Sequence, residues 1–272
     1  MDSQAECPLL HHQLDAPSEF TPEALVSAVR AARGLANAAV PAICVLDFDG
    51  DLTDWLVREG RVTPFGPWAC FHTKMYLLEM DGARYGIIAR TIGGPYSVLI
   101  AEQLRVSGAR LTLGLTSAGR VSPSLALPSF VVVTSAVRDE GTSLHYLPAA
   151  ERVDYPTPVT DLLADQLGRL GPAVVEGCVW TTDAPYRETA DQLQRHAAAG
   201  VLAVEMQAAS LFAFAMARGA SVGMVAHVTN AVDHVVNKGD QQFDKGTDEH
   251  GFLLLQAMLR AGRSYVAAAV RT

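Results

Sequence analysis

Short apolar runs of four to seven residues, each ending in a small or polar loop and alternating with helical stretches, constrain this chain more than any other feature. They occur in PAICVLDFDGDL, ARYGIIARTIGGP, ARLTLGLTSAGRV, PSFVVVTSAVRDEG, AVVEGCVWTTDAPY and SVGMVAHVTNAVD. A run that is apolar at every position predicts a strand covered on both faces, as in a largely parallel sheet flanked by helices. In such sheets ligands collect beyond the carboxyl ends of the strands. The loops DFDGD, TIGGP, TSAGR, TTDAPY and VTNAVD are therefore where chemistry is expected. TPEALVSAVRAARG (21–34) predicts a helix capped by Thr21, with Pro22 at its first position and Gly34 at its end. VLAVEMQAASLFAFA predicts an apolar helix over 203–218 that opens on Glu205, Met206 and Gln207, and a last helix is expected from about Gly251 to Val270. With no repeat and no Pro/Ser-rich linker, one α/β domain over 1–272 is expected, residues 1–20 being an irregular extension.

Composition removes several classes of function. The chain has 272 residues, 49% of them apolar and 18% charged, and a mean hydropathy of +0.17, enough to build a sizeable core. A net charge of −8, with no local cluster of basic residues to offset it, argues against nucleic acid as a partner. Arginine dominates the basic residues, with lysine only at 74, 238 and 245, which reads as GC-rich coding rather than phosphate recognition. No apolar run reaches the length of a membrane span, and the opening MDSQAECPLLHHQLD lacks the basic start and apolar core of a signal peptide. Cys7, Cys44, Cys70 and Cys178 lie far apart, without a CxxC or a His at metal spacing. Free thiols in a reducing cytoplasm and no bound metal are the expectation.

VLDFDGDLTDWL (45–56) admits three readings. As a calcium loop it fails, because Leu52 occupies the glycine position and Arg58 the position of the bidentate Glu. It resembles the first motif of haloacid-dehalogenase-type phosphatases, with Asp47 as nucleophile and Asp49 as acid/base, and GDQQFD (239–244) resembles their metal motif. Asp51, however, stands where that family places the Thr that holds phosphate. The third reading is a solvated acidic turn between a strand and a helix.

Taken in order and spacing, the pieces LDFDGDL, RTIGGPY, GLTSAG, AVRDEGTSLHY, TTDAPY, AVEMQAA and VTNAVD over residues 40–235 resemble one family. It is that of the nucleoside phosphorylases of the uridine and hexameric purine type, together with the methylthioadenosine/S-adenosylhomocysteine nucleosidases. The resemblance implies a single-domain nucleoside-phosphorylase-like α/β fold with a central mixed, largely parallel sheet. It implies a nucleoside as small-molecule ligand, no nucleic-acid or membrane partner, no cofactor, and a homo-oligomer, either a dimer or a trimer of dimers. By the same resemblance Glu205, Met206 and Gln207 hold the ribose, Thr116 and Ser117 contact the sugar or the nucleophile, and Tyr186 contacts the base. His11 and His12 lie near the terminus from which the family sends a histidine into the neighbouring site.

The departures from the family pattern carry as much information. Gln207 replaces a carboxylate with an amide, a weaker acceptor for sugar hydroxyls. The phosphorylases hold phosphate with arginines, whose counterparts here fall at Leu52, Gly114 and Phe71 or His72. Arg120, Arg90 and Lys74 stand at none of those positions. Asp47, Asp49 and Asp51 crowd the first loop, and a dianion beside them would be repelled. The expectation is therefore cleavage of an N-glycosidic bond by water, with Asp49 or Asp51 activating it. The alternatives are a phosphate-dependent phosphorylase with a rebuilt anion site, phosphate then being the co-substrate, and a nucleoside-binding protein without turnover. Asn230 stands where purine nucleosidases carry the Asp that protonates the base. An amide cannot release a proton, so a base that already leaves well, or a second acid such as Asp233, is needed.

Overall fold

The computed structural model describes residues 7–231 and 248–269. In chain order the elements are α1 (Pro22–Arg33), β1 (Ile43–Asp47), α2 (Asp51–Arg58), β2 (Val62–Pro64), β3 (Met75–Met80), β4 (Ala83–Ala89), α3 (Gly94–Val106) and β5 (Leu111–Arg120). There follow β6 (Ser129–Asp139), β7 (Arg152–Asp154), α4 (Pro158–Leu167), β8 (Ala173–Thr182), α5 (Ala190–Ala198), β9 (Val201–Glu205), α6 (Ala208–Arg218), β10 (Val222–Ala231) and α7 (Asp248–Ala268). The α1 boundaries follow the sequence signals. Thr21 Oγ1 accepts from the Ala24 N–H at 3.2 Å, and Gly34 closes the helix in the left-handed region.

The ten strands of the described residues join one sheet in the order β10-β6-β8-β9-β5-β1-β4-β3-β2, with β7 paired to β6. The β4–β1–β5–β10 pairings and the β6–β8–β9 pairings are parallel. Antiparallel pairing joins β2, β3 and β4 at one edge and links β6 to β10 and β5 to β9. The sheet is thus mixed, with parallel strands at its centre. Its long strand β5 pairs with β1 over Leu111–Leu115 and reaches β9 only through Gly119 and Arg120. Because β10 also pairs with β5, strands β5, β10, β6, β8 and β9 close into a ring.

Both faces are covered, as the uninterrupted apolar runs require. Alternate residues of β1 divide between two cores. Cys44 and Leu46 join Leu104 of α3 and Phe212 and Phe214 of α6. Ile43 and Val45 join Leu163 of α4 and Leu255, Met258 and Leu259 of α7. Among the described residues no helix is long and apolar enough to cross a membrane, and the cysteines at 7, 44, 70 and 178 form no disulfide.

One expectation is corrected. The helix expected over 203–218 begins only at Ala208, and its first residues instead form β9. The β-branched Val201 and Val204 are buried between β8 and β5, where a strand satisfies their backbone groups. The chain then turns at Glu205, whose carboxylate accepts from the N–H groups of Gln207 and Ala208 at 2.6 and 2.9 Å and starts α6. The last helix starts three residues earlier than expected and ends at Ala268.

Gly114, in the middle of β5, tests the packing beneath the site. A Cβ there would stand 2.1 Å from Met224 Sδ and 2.9 Å from the Phe48 ring. Gly114→Ala is expected to lower stability by about 1–3 kcal/mol through overpacking, read as an earlier urea-unfolding midpoint; an unchanged midpoint would show that the core yields there.

Candidate active site

The carboxyl ends of β1, β5, β8, β9 and β10 open onto a cleft of about 520 Å³. Asp49, Ile92, Thr116, Ser117, Thr182, Tyr186, Glu188, Glu205, Met206 and Gln207 line it, with Thr229 from β10. It holds residues from all five loops singled out in the sequence, Thr229 being the one from VTNAVD.

Each side is built by a local rule. β1 delivers the chain to the DFDG turn, where Gly50 sits at φ 88° and Arg90 leaves no room for a side chain, its Cγ 2.7 Å from where a Cβ would stand. Asp47 is buried beneath that turn. Its Oδ1 accepts from Gly50 N–H at 3.2 Å, and its Oδ2 accepts from the N–H and hydroxyl of Thr53 at 2.8 and 2.7 Å. Both carboxylate oxygens are therefore engaged in starting α2, and burial pushes the group above its usual range. Asp47 does not line the cleft, so the phosphatase reading loses its nucleophile, and the solvated turn is solvated only at its outer positions. GDQQFD (239–244) lies outside the described residues.

Asp49, half-buried, turns the other way. Its Oδ2 accepts from the Ser117 N–H at 3.0 Å, tying the first loop to the end of β5. Asp51 is the exposed first residue of α2 and is not among the cleft-lining residues. Of the two candidate water-activating carboxylates, the fold brings only Asp49 to the cleft.

The third side is the β9–α6 junction. Glu205 Oε1 accepts from the Thr181 hydroxyl at 2.5 Å, while Oε2 caps α6. Thr181 Oγ1 in turn accepts from the Ala209 N–H at 3.0 Å. Burial dominates over these donors and raises the Glu205 carboxyl to about 7. Gln207 is buried, and its Oε1 lies 3.3 Å from both Met206 N and Thr116 Oγ1. The protein itself thus engages the amide oxygen that was expected to accept from a sugar hydroxyl.

On the fourth side β8 ends in TTDAPY. Tyr186, in the 3₁₀ turn Pro185–Arg187, is 100% exposed at the mouth, so no described residue covers the ring. Two residues on, Glu188 lines the cleft half-buried, and burial raises its carboxyl to about 7. Sequence reasoning missed Glu188 and Thr181. The only signal for Glu188 was its place two residues after the expected base-contacting tyrosine. Asn230 lies on β10 opposite Gly119 of β5, and Asp233 lies outside the described residues.

None of the candidate cations lines the cleft. Arg90 reaches the first loop from the end of β4 but pairs with Asp54 of α2, Nη1 to Oδ1 at 3.0 Å. Position 114, a counterpart of a family arginine, has no room for any side chain. Phe71, another counterpart, is stacked beneath Arg33 at 4.8 Å. His12 stacks on His145 of its own chain at 4.0 Å between ring centroids. Among the described residues no cluster of His, Cys, Asp and Glu could hold a metal.

A family model described as the phosphorylase superfamily matches residues 42–261. The chain is 30% identical over 180 residues to a guanosine phosphorylase of Halorubrum lacusprofundi, covering 65% of this chain and 71% of that protein. It is 26% identical over 191 residues to a uridine phosphorylase of Escherichia coli, covering 63% and 73%. To a uridine phosphorylase of Thermococcus kodakarensis it is 27% identical over 203 residues, 67% of each chain.

The Glu205 shift predicts a pH dependence of stability. A carboxyl raised from 4.5 to about 7 on folding stabilises the folded state fully below 4.5, and that contribution is lost as pH rises through 7. Between pH 4 and 8 the wild type is expected to lose about 3 kcal/mol relative to Glu205→Gln, read from urea-unfolding midpoints. Parallel pH profiles for the two proteins would contradict this.

Proposed function

The chain belongs to the phosphorylase superfamily, and we propose that it cleaves the N-glycosidic bond of a nucleoside or related ribosyl compound with water as the nucleophile. One observation carries the choice of nucleophile. The described residues that line the cleft include three carboxyls, Asp49, Glu188 and Glu205, and no arginine or lysine. A pair of unit charges 4 Å apart interacts by about 4 kcal/mol at an effective dielectric of 20. A phosphate dianion placed about that close to Asp49 without a guanidinium is opposed by about that much per unit charge, whereas neutral water is welcomed as a hydrogen-bond donor.

The roles in this reading are as follows. Glu205, Met206 and Gln207 hold the sugar at the β9–α6 junction, and the Tyr186 ring covers the base. Asp49, steadied by the Ser117 N–H, accepts a proton from the water that attacks the anomeric carbon. Its negative charge also stabilises the cationic sugar that forms as the bond to the base lengthens. The amide at Gln207 offers less negative charge to that sugar than a carboxylate would, which places more of the burden on Asp49.

Phosphorolysis is the second reading, favoured by the guanosine and uridine phosphorylases that this chain resembles. Initial rates on a nucleoside panel separate the two. Free base and free sugar are expected at a rate indifferent to millimolar phosphate or arsenate, and Asp49→Asn is expected to lower kcat by about 10²–10⁴. A rate strictly dependent on phosphate would establish the phosphorylase instead, and tight binding without turnover would leave a binding protein.

A further inference from the structure

We infer that Glu188 is the acid that delivers a proton to the departing base, an assignment that rests on N-glycosidic cleavage at this cleft whichever nucleophile attacks. Breaking the bond leaves an electron pair on the base, and a poor leaving group needs a proton at that moment. The residue expected to assist, Asn230, has an amide that hydrogen-bonds but cannot release a proton. The other two cleft carboxyls already accept hydrogen bonds from the protein, and Asp49 has the role of base toward water. Asp49 accepts from Ser117 N–H, and both oxygens of Glu205 accept from Thr181, Gln207 and Ala208.

Glu188 differs from both. It lines the cleft beside Tyr186 and makes no hydrogen bond or ion pair with any described residue. Its backbone is nevertheless fixed on both sides. The 3₁₀ turn Pro185–Arg187 precedes it, and Thr189 follows it in a reciprocal capping pair with Gln192 that starts α5. A carboxyl held at the base side of a cleft with no partner among the described residues is available to a ligand. Burial alone lifts it to about 7, so its acid form is populated at neutral pH.

The step balances. As the C1′–N bond breaks, its electron pair passes to the base, and the Glu188 proton moves to a base nitrogen or a carbonyl oxygen conjugated with it. The nucleophile's oxygen bonds to C1′, and in hydrolysis Asp49 takes the proton that water releases. Glu188 is left as a carboxylate, Asp49 as an acid, and exchange with solvent restores both.

The test compares wild type, Glu188→Gln and Glu188→Asp on a cleavable nucleoside and on p-nitrophenyl β-D-ribofuranoside, whose nitrophenolate leaves without protonation. Glu188→Gln is expected to lower kcat on the nucleoside by about 10²–10⁴ while leaving the activated riboside within about threefold. The wild-type nucleoside rate is expected to fall as pH rises above about 7, and that limb is expected to vanish in Glu188→Gln and survive in Glu188→Asp. Nucleoside turnover by Glu188→Gln within about threefold of wild type would overturn the assignment, as would equal loss on both substrates. If the wild type cleaves neither substrate, the cleavage reading itself falls, a result distinct from either.

Discussion

The Glu205 carboxylate at the β9–α6 junction is the contact around which this molecule is arranged. It takes hydrogen bonds from Gln207 N–H, Ala208 N–H and the Thr181 hydroxyl, and so joins the end of β8, the end of β9 and the start of α6 in one group. An apolar helix buried through most of its length needs its first N–H groups satisfied from inside the protein. The chain supplies that acceptor from the strand before it. The same carboxyl thereby faces the cleft from a rigid support, with its acid raised to about 7 by the burial that fixes it. Fold and site share one side chain here, and the cost of burying the charge is the sign of that double use.

The electrostatics of the cleft follow from how the neighbouring charges are used up. Asp47 goes to the start of α2, and Arg90 goes to Asp54. What remains facing the cleft among the described residues is acidic: Asp49, Glu188 and Glu205. A superfamily whose relatives are guanosine and uridine phosphorylases has here a member with carboxyls and hydroxyls lining this cleft. On the reading proposed above, such a lining suits a neutral nucleophile and a cationic sugar better than an oxyanion.

Much of this was legible in the sequence, because both-face burial leaves an unmistakable pattern. The runs ICVLD, LTLGLTSAGR and SFVVVTSAVRD became β1, β5 and β6; β1 and β5 pair in parallel and bring their carboxyl ends to the cleft, whereas β6 runs antiparallel to β10 and its trailing loop contributes no lining residue. Thr116, Ser117, Tyr186, Glu205, Met206 and Gln207 meet in one cleft at the ends of β5, β8 and β9. Periodicity misled at 203–207, where a buried strand runs directly into a buried helix and both read as apolar. The β3–β4 hairpin was overlooked although Asp81-Gly82, both at positive φ, is a strong turn signal. Asp49 and Asp51 could not be separated by spacing alone, since only the left-handed Gly50 turns one toward the cleft and the other onto the helix surface. Glu188 had no motif, and only the path of the loop after β8 shows where it points.

The central claim is that this cleft does not host a phosphate dianion. Calorimetric titration of inorganic phosphate into the protein, at neutral pH and in the presence of the free base, measures that directly. The account predicts no saturable heat up to tens of millimolar phosphate, as expected where about 4 kcal/mol opposes each unit charge placed beside Asp49. Saturable binding in the micromolar range would contradict it.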